Sequence, residues 1–175
     1  MSLLFPIIRC LHHGITFHFY QLIIKLLVFL IALVLTLGIA RTWQMEHGEN
    51  AKIFLGGSVP ESQPDGFYRG TVDGYHASWL GKKFILTDSK GINVFDDGKG
   101  GQIERYSFIT STGESVAGGG KQVFRIDYNV SENPWWVRPI LDEMVQVAPQ
   151  EYLGKLEVRI IPQFPFTLGY FELKK

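Results

Sequence analysis

Residues 22–40 read LIIKLLVFLIALVLTLGIA, and Lys25 is the only charge among them. From Leu26 to Ala40 every side chain is apolar or small. A hydrocarbon layer of about 30 Å takes roughly 20 helical residues. The stretch from Tyr20 to Ala40 supplies that length once Lys25 extends its stem toward the headgroups. Phe17, Phe19 and Tyr20 before the run and Trp43 after it are aromatics of the kind that membrane interfaces favour. The same run competes as a secretory signal, because Gly38-Ile39-Ala40 has the small residues of a cleavage site. The long polar region ahead of the run favours an uncleaved anchor, and residues 1–43 are taken as leader plus one transmembrane helix.

Charge divides the chain at the same place. Residues 1–43 contain Arg9, Lys25 and Arg41 and no acid, while all 17 acidic residues lie at or after Glu46. The remainder holds more acidic than basic residues, so it has no field that would draw in a polyanion, and nucleic acid is not an expected partner. Arg9 and Lys25 on one side of the run are balanced by Arg41 and Lys52 on the other. The positive-inside rule therefore does not decide the orientation. The amino-terminal charge and His12, His13 and His18 tilt the expectation to an inside N-terminus, with the remainder of the chain on the opposite side.

Cys10 is the single cysteine, so neither an intrachain disulfide nor a cysteine metal site can form. His12 and His13 are adjacent and do not share a helical face, and no metal or cofactor is expected.

Beyond about Asn50 the apolar period is two. In QVFRIDYN, Phe124, Ile126 and Tyr128 alternate with Val123, Arg125 and Asp127. In YLGKLEVRI, Tyr152, Leu156, Val158 and Ile160 alternate with Leu153, Lys155, Glu157 and Arg159. Both read as half-buried antiparallel strands. Further short strands are expected at 67–72, 82–86, 92–95, 103–109, 144–147 and 166–173. Asp73-Gly74, Ser89-Lys90-Gly91, Asp96-Asp97-Gly98, Gly118-Gly119-Gly120 and Ala148-Pro149-Gln150 supply the turns between them. Seven to nine short strands at a spacing of about ten residues mean an all-β sandwich or closed barrel. An aromatic content of 14% favours a barrel with a filled or partly filled interior. Residues 44–64 read as a linker, because Gly56-Gly57 and Pro60 interrupt any element, and residues 65–175 as the β domain.

Gly66-Phe67-Tyr68-Arg69-Gly70 followed by Trp79-Leu80-Gly81-Lys82-Lys83-Phe84 resembles the bacterial family named for its Gly-x-Trp-x-Gly motif. IDYN, ILDEMVQVAPQEYLGKLEVR and FTLGYFEL are similar to the domain of unknown function that accompanies it. The resemblance covers most of residues 65–173. It departs at Tyr68, which stands where the family has tryptophan, and in a shorter stretch between the two motifs. It implies a small antiparallel lipocalin-like barrel, a fold that commonly holds apolar molecules, and no enzymatic activity.

In physical terms, Tyr68 between glycines plugs one end of a small barrel, with Arg159 or Arg125 either stacking on its ring or pointing to solvent. Trp79 belongs to the same aromatic group. Pro134 and Pro139 forbid a continuous helix through ENPWWVRPILDEM, which becomes a crossing loop, with Arg138 and Asp142 as its expected salt bridge. Trp135 and Trp136 in that loop either cap the core or project as an apolar lip. Asp142 and Glu143 are neighbours in an extended chain and point opposite ways, so they do not form an acid/base pair. Gly113-Glu114-Ser115-Val116-Ala117 lacks the last glycine of a nucleophile elbow, and His76 is the one histidine of the β domain. No catalytic residue is expected. The candidate ligand residues are Tyr68, Trp79, Trp135, Trp136 and Arg159. The functional expectation is a membrane-anchored barrel that binds a lipid or another apolar small molecule, or an accessory subunit of a larger membrane complex.

Overall fold

The computed structural model describes residues 4–72, 78–161 and 164–175, with side chains from residue 18 onward. The expectations for Cys10, His12, His13, Phe17, His76 and the Asp73-Gly74 turn lie outside the described side chains and residues. The chain forms two compact units, Met1–Ile39 and Ala40–Lys175. Helix α1, Leu4–Glu46, makes up the first unit and opens the second. Its stretch His18–Glu46 is long and apolar enough to cross a membrane.

The second unit is a closed antiparallel barrel. Its strands are β1 (Gly66–Val72), β2 (Trp79–Ile85), β3 (Lys90–Asp96), β4 (Gln102–Glu114), β5 (Gln122–Asp127), β6 (Ile140–Ala148), β7 (Glu151–Ile161) and β8 (Phe164–Lys174). Each pairs with its successor, and β8 returns to β1 with Arg69 opposite Lys174 and Val72 opposite Phe171. This is the up-and-down order of a lipocalin-like barrel, which removes every sheet edge. The eight expected strand segments all lie in it.

Local chemistry explains the short connections. Asp97 Oδ1 accepts from the backbone N–H of Lys99 and Gly101 at 2.7 and 2.8 Å, closing the β3–β4 turn. Those two donors hold the Asp97 carboxyl below its usual range. Gly118, Gly119 and Gly120 all have positive φ in the β4–β5 turn, where a side chain would be strained. By contrast, β5 reaches β6 by a long crossing, through the two prolines.

Two apolar clusters occupy opposite faces of the barrel wall. Inside, Tyr68, Phe84, Phe108, Phe124, Ile126 and Met144 pack with Tyr152, Phe171 and Leu173. Outside, Phe54 and Ala51 cover Val123, Val145, Leu153 and Tyr170. Phe54 and Ala51 belong to helix α2, Glu49–Gly56, which forms inside the stretch read from the sequence as linker. Gly57 ends it, but the residues before Gly56 carry their own apolar stripe onto β6 and β7. The strict alternation read for β7 fails for the same reason. Lys155 and Glu157, expected in solvent, are both buried, Lys155 at the Phe54 ring.

Gly154 faces Phe171 across the β7–β8 ladder. A Cβ at Gly154 would collide with the Phe171 ring, which fills the space a side chain would take. Gly154→Ala should therefore overpack the wall and cost about 1–3 kcal/mol. The loss should be read as a lower urea midpoint for the full-length protein, with the slope of the transition unchanged.

Candidate functional site

At one end the barrel is not filled. A cavity of about 210 Å³ opens between Trp79, Phe95, Tyr106, Trp136 and Phe171, and its floor carries Lys82, Asn93, Tyr128 and Asp142. The alternation of the strands puts these four polar side chains inside, on β2, β3, just past the end of β5 and on β6, where all four are buried. Lys82 and Asp142 are each 2% exposed.

The floor is one hydrogen-bonded network. Lys82 Nζ lies 2.8 Å from Asp142 Oδ2 and 3.0 Å from Asn93 Oδ1, and it also donates to the Tyr128 hydroxyl. The Tyr128 hydroxyl lies 3.1 Å from Asp142 Oδ2 and accepts from Asn93 Nδ2 at 2.9 Å. Trp79 Nε1 donates to Asn93 Oδ1 at 3.0 Å. Four rings surround the ammonium, with Nζ 4.9 Å from the Phe171 centroid and 5.1 to 5.4 Å from those of Tyr128, Trp79 and Phe108. Such contacts stabilise a desolvated cation by about 1–2 kcal/mol each at best. Burial is the larger effect: it lowers the Lys82 pKa and raises that of Asp142, each against the pull of its partner. Burial also raises the Tyr128 phenol well above its ordinary value. Asp142 Oδ1 has no hydrogen-bond partner among the described residues.

The wall is strained at the same place. Tyr106 sits at φ 60, in the left-handed region, where the β3–β4 register shifts between Ile92 and Asn93. A bulge there turns its carbonyl toward Asn93 Nδ2, at 3.1 Å, and its ring toward Phe95 and Trp136, at centroid distances of 5.8 and 5.7 Å. A tyrosine in that conformation costs on the order of 1–3 kcal/mol, and such strain gathers at functional sites.

The sequence candidates separate. Trp79 and Trp136 line the cavity, while Trp135 is 80% exposed and does not cap the core. Tyr68 is buried at the other side of the interior against Phe84 and Tyr152, with Lys175 Nζ 5.4 Å over its ring. Neither arginine stacks there. Arg159 pairs with Asp127 at 2.8 Å, and Arg125 lies against Gly113. The expected Arg138–Asp142 bridge is also replaced. Arg138 donates to the carbonyls of Asn133 and Ser131, pinning the loop, and Asp142 is taken by Lys82 from across the barrel. Sequence reasoning missed Lys82, Asn93 and Tyr128. The signal was present in Tyr128 and Asp142, whose strand positions both face inward, but the partner on β2 lies far back in the chain.

Glu143, next to Asp142, points to the outer face as its position in the strand requires. It accepts from Ser115 Oγ and Val116 N, each at 2.6 Å, so Ser115 is committed to a structural turn. Lys155 Nζ sits 3.5 Å from Glu143 and 2.6 Å from Glu157 Oε1, beneath the Phe54 ring at 5.2 Å. Burial pushes the Glu157 carboxyl up to about 7, Lys155 opposing the shift and Glu143 and Glu46 adding to it.

Two outcomes follow from these charges. Lys82→Met or Asp142→Leu alone strands a buried charge and should cost about 3–5 kcal/mol, whereas the double change should be near neutral or stabilising. Urea unfolding of all four full-length proteins would show that coupling. Glu157, raised from 4.5, keeps its proton in the folded chain where the unfolded chain has lost it. Stability is then greatest below about pH 4.5, falls as pH rises toward about 7, and is flat above, a change on the order of 3 kcal/mol from this group. Glu157→Gln should remove that slope from the urea midpoint measured across the window.

No family model matches the chain, and no curated protein matches it. Among solved structures, that of a protein from Thermomonospora curvata aligns at 19% identity and a TM-score of 0.49. The alignment covers 68% of this chain and 79% of that one.

Proposed function

We propose that this protein is a membrane-anchored barrel that binds a lipid or another apolar small molecule in the aromatic cavity. The observation that supports the reading is the cavity itself, open between Trp79, Tyr106, Trp136 and Phe171 and floored by a buried charge pair. A fold held together for stability alone gains nothing from a desolvated ion pair beside a void. At about 210 Å³ the cavity is below the usual few hundred Å³ of ligand pockets, so it takes a small molecule or one end of a larger one. The exposed Trp135, beside Trp136 in the crossing loop, offers the rest of such a molecule an apolar surface. On this reading α1 crosses a membrane with the N-terminus inside and the barrel on the opposite side. The resemblance to the Gly-x-Trp-x-Gly family belongs to the same proposal and adds a barrel without enzymatic chemistry.

The second reading is an accessory subunit of a membrane complex. It draws on the rest of the interior, where Phe84, Phe108, Phe124, Ile126 and Met144 are buried in one packed cluster. A solid barrel has no use for a ligand, and Trp135 would then face a partner protein.

Native mass spectrometry of the full-length protein in detergent separates the two, bound lipid favouring the first and a partner chain the second. Replacing both Trp135 and Trp136 by Ala tests the residues. Trp135 is so exposed that its loss should change stability by less than about 0.5 kcal/mol, and the Tyr106 edge contact of Trp136 adds about 1 kcal/mol. The binding reading expects a folded variant with roughly tenfold weaker lipid recovery. Unchanged recovery from a folded variant would remove the two tryptophans from the site.

A further inference from the structure

The end of the barrel that carries the cavity mouth has an apolar half-rim. The crossing loop and the tip of the β7–β8 pair both lie there, Arg159 N donating to the Pro139 carbonyl at 2.9 Å and Ile161 pairing with Phe164. Trp135 is 80% exposed, Phe164 68% and Ile160 60%. No charged residue stands between Arg159 and Glu172. Large apolar side chains gathered on one end of a barrel mark a surface that is covered. The β3–β4 turn on the same end, built on Asp97, is polar, so the apolar rim is one-sided.

What covers it follows from where the chain enters the barrel. Arg41, Thr42 and Met45 belong to the barrel's own compact unit. Thr42 Oγ1 accepts from Thr167 N at 3.0 Å, Arg41 Nε donates to the Leu168 carbonyl at 2.8 Å, and Met45 packs on the cluster that contains Tyr170. From Thr42 to Met45 the contacts thus advance along β8 from Thr167 to Tyr170. The two segments run in the same sense, so following β8 back from Thr167 leads the way toward Ala40, where the apolar run ends. At about 3.3 Å per residue, Phe164 lies about 10 Å beyond Thr167 in that direction.

We infer that this half of the rim sits in the interface of the membrane that α1 crosses, with Trp135, Ile160, Ile161 and Phe164 at the boundary between headgroups and acyl chains. This rests on the reading of α1 as a membrane anchor and deepens the binding reading above. Apolar faces that lie on a membrane enter that boundary by about 5–10 Å, the same as the reach of Phe164 past Thr167. Tryptophan is favoured at that depth. Trp136, the neighbour of Trp135, lines the cavity, so the cavity mouth opens beside the lipid and an apolar ligand moves between bilayer and barrel without crossing water.

The test is a set of nitroxide labels on the full-length protein in phosphatidylcholine nanodiscs, each on a single cysteine after Cys10→Ser. Phe164→Cys and Trp135→Cys report the rim, Val147→Cys the opposite end of the barrel, and Leu30→Cys the helix; all four positions are exposed. Collisions with oxygen, which dissolves in lipid, are compared with collisions with a water-soluble nickel chelate. The oxygen-to-chelate ratio at Phe164→Cys and Trp135→Cys should exceed that at Val147→Cys by on the order of tenfold, because a polar chelate is excluded from the acyl region. Rim labels as open to the chelate as Val147→Cys, with Leu30→Cys in lipid, would overturn the inference and leave the anchor standing. Rim labels shielded from both agents would also overturn it, by showing a protein over the rim. A Leu30→Cys label open to the chelate would remove the anchor reading and the inference with it. A second arm needs no label: in nanodiscs of lipid brominated near the headgroups, Trp135→Phe should lower the quenched share of tryptophan emission relative to wild type. An unchanged or higher share would place Trp135 in water and overturn the inference.

Discussion

Pairing of β8 with β1 is the constraint on which the rest depends. Once Arg69–Val72 lie against Phe171–Lys174, the sheet has no edge, and each strand finds a hydrogen-bonding neighbour on both sides. Closure also removes water from the interior. An inward polar side chain must then find a partner inside, and Lys82, Asn93, Tyr128 and Asp142 find one another from four different places in the chain. Their network follows from the closed sheet; in an open one Lys82 would simply extend into solvent.

The interior is shared between filling and cavity by a few local devices. Gly154 leaves room for the end of the Phe171 ring against β7, and Gly91 does the same for Phe108. With those rings against the wall, Lys82 is enclosed by aromatic faces and the space above it stays open. The left-handed Tyr106 sits in a bulge of the wall, and its ring meets Trp136 edge-on. A regular strand would carry that ring to the other face of the sheet, since a shift of one residue inverts every side chain beyond it.

The outer wall repeats the same physics with a different cover. Helix α2 buries Phe54 on β6 and β7 and sets its ring over Lys155, which with Glu143 and Glu157 would be an ordinary surface charge on an uncovered barrel. Lys121 Nζ holds the end of that helix by donating to the carbonyls of Leu55 and Gly57 at 3.1 and 2.8 Å. Glu157 is left with both oxygens lacking an aligned donor among the described residues, 2.6 Å from Lys155 though it is. The adjacent pair Asp142-Glu143 thus serves two separate buried networks, one on each side of a wall one residue thick.

Local pattern alone determined much of this protein. The apolar run at 22–40, the eight strands, the described turns at 89–91, 96–98, 118–120 and 148–150, and the opposite directions of Asp142 and Glu143 are all set by residues within a few positions of one another, where periodicity and turn chemistry act. What only the tertiary structure decided is what lies opposite. The choice of Lys82 over Arg138 as the partner of Asp142, of Lys175 over Arg159 as the cation on Tyr68, and the burial of Lys155 and Glu157 all depend on elements brought together by the fold. The reason is physical: a strand's alternation states which side each residue faces, but both sides of this wall are covered. Whether a charge on a given side meets solvent, a ring or an opposite charge is fixed by chain far away in sequence.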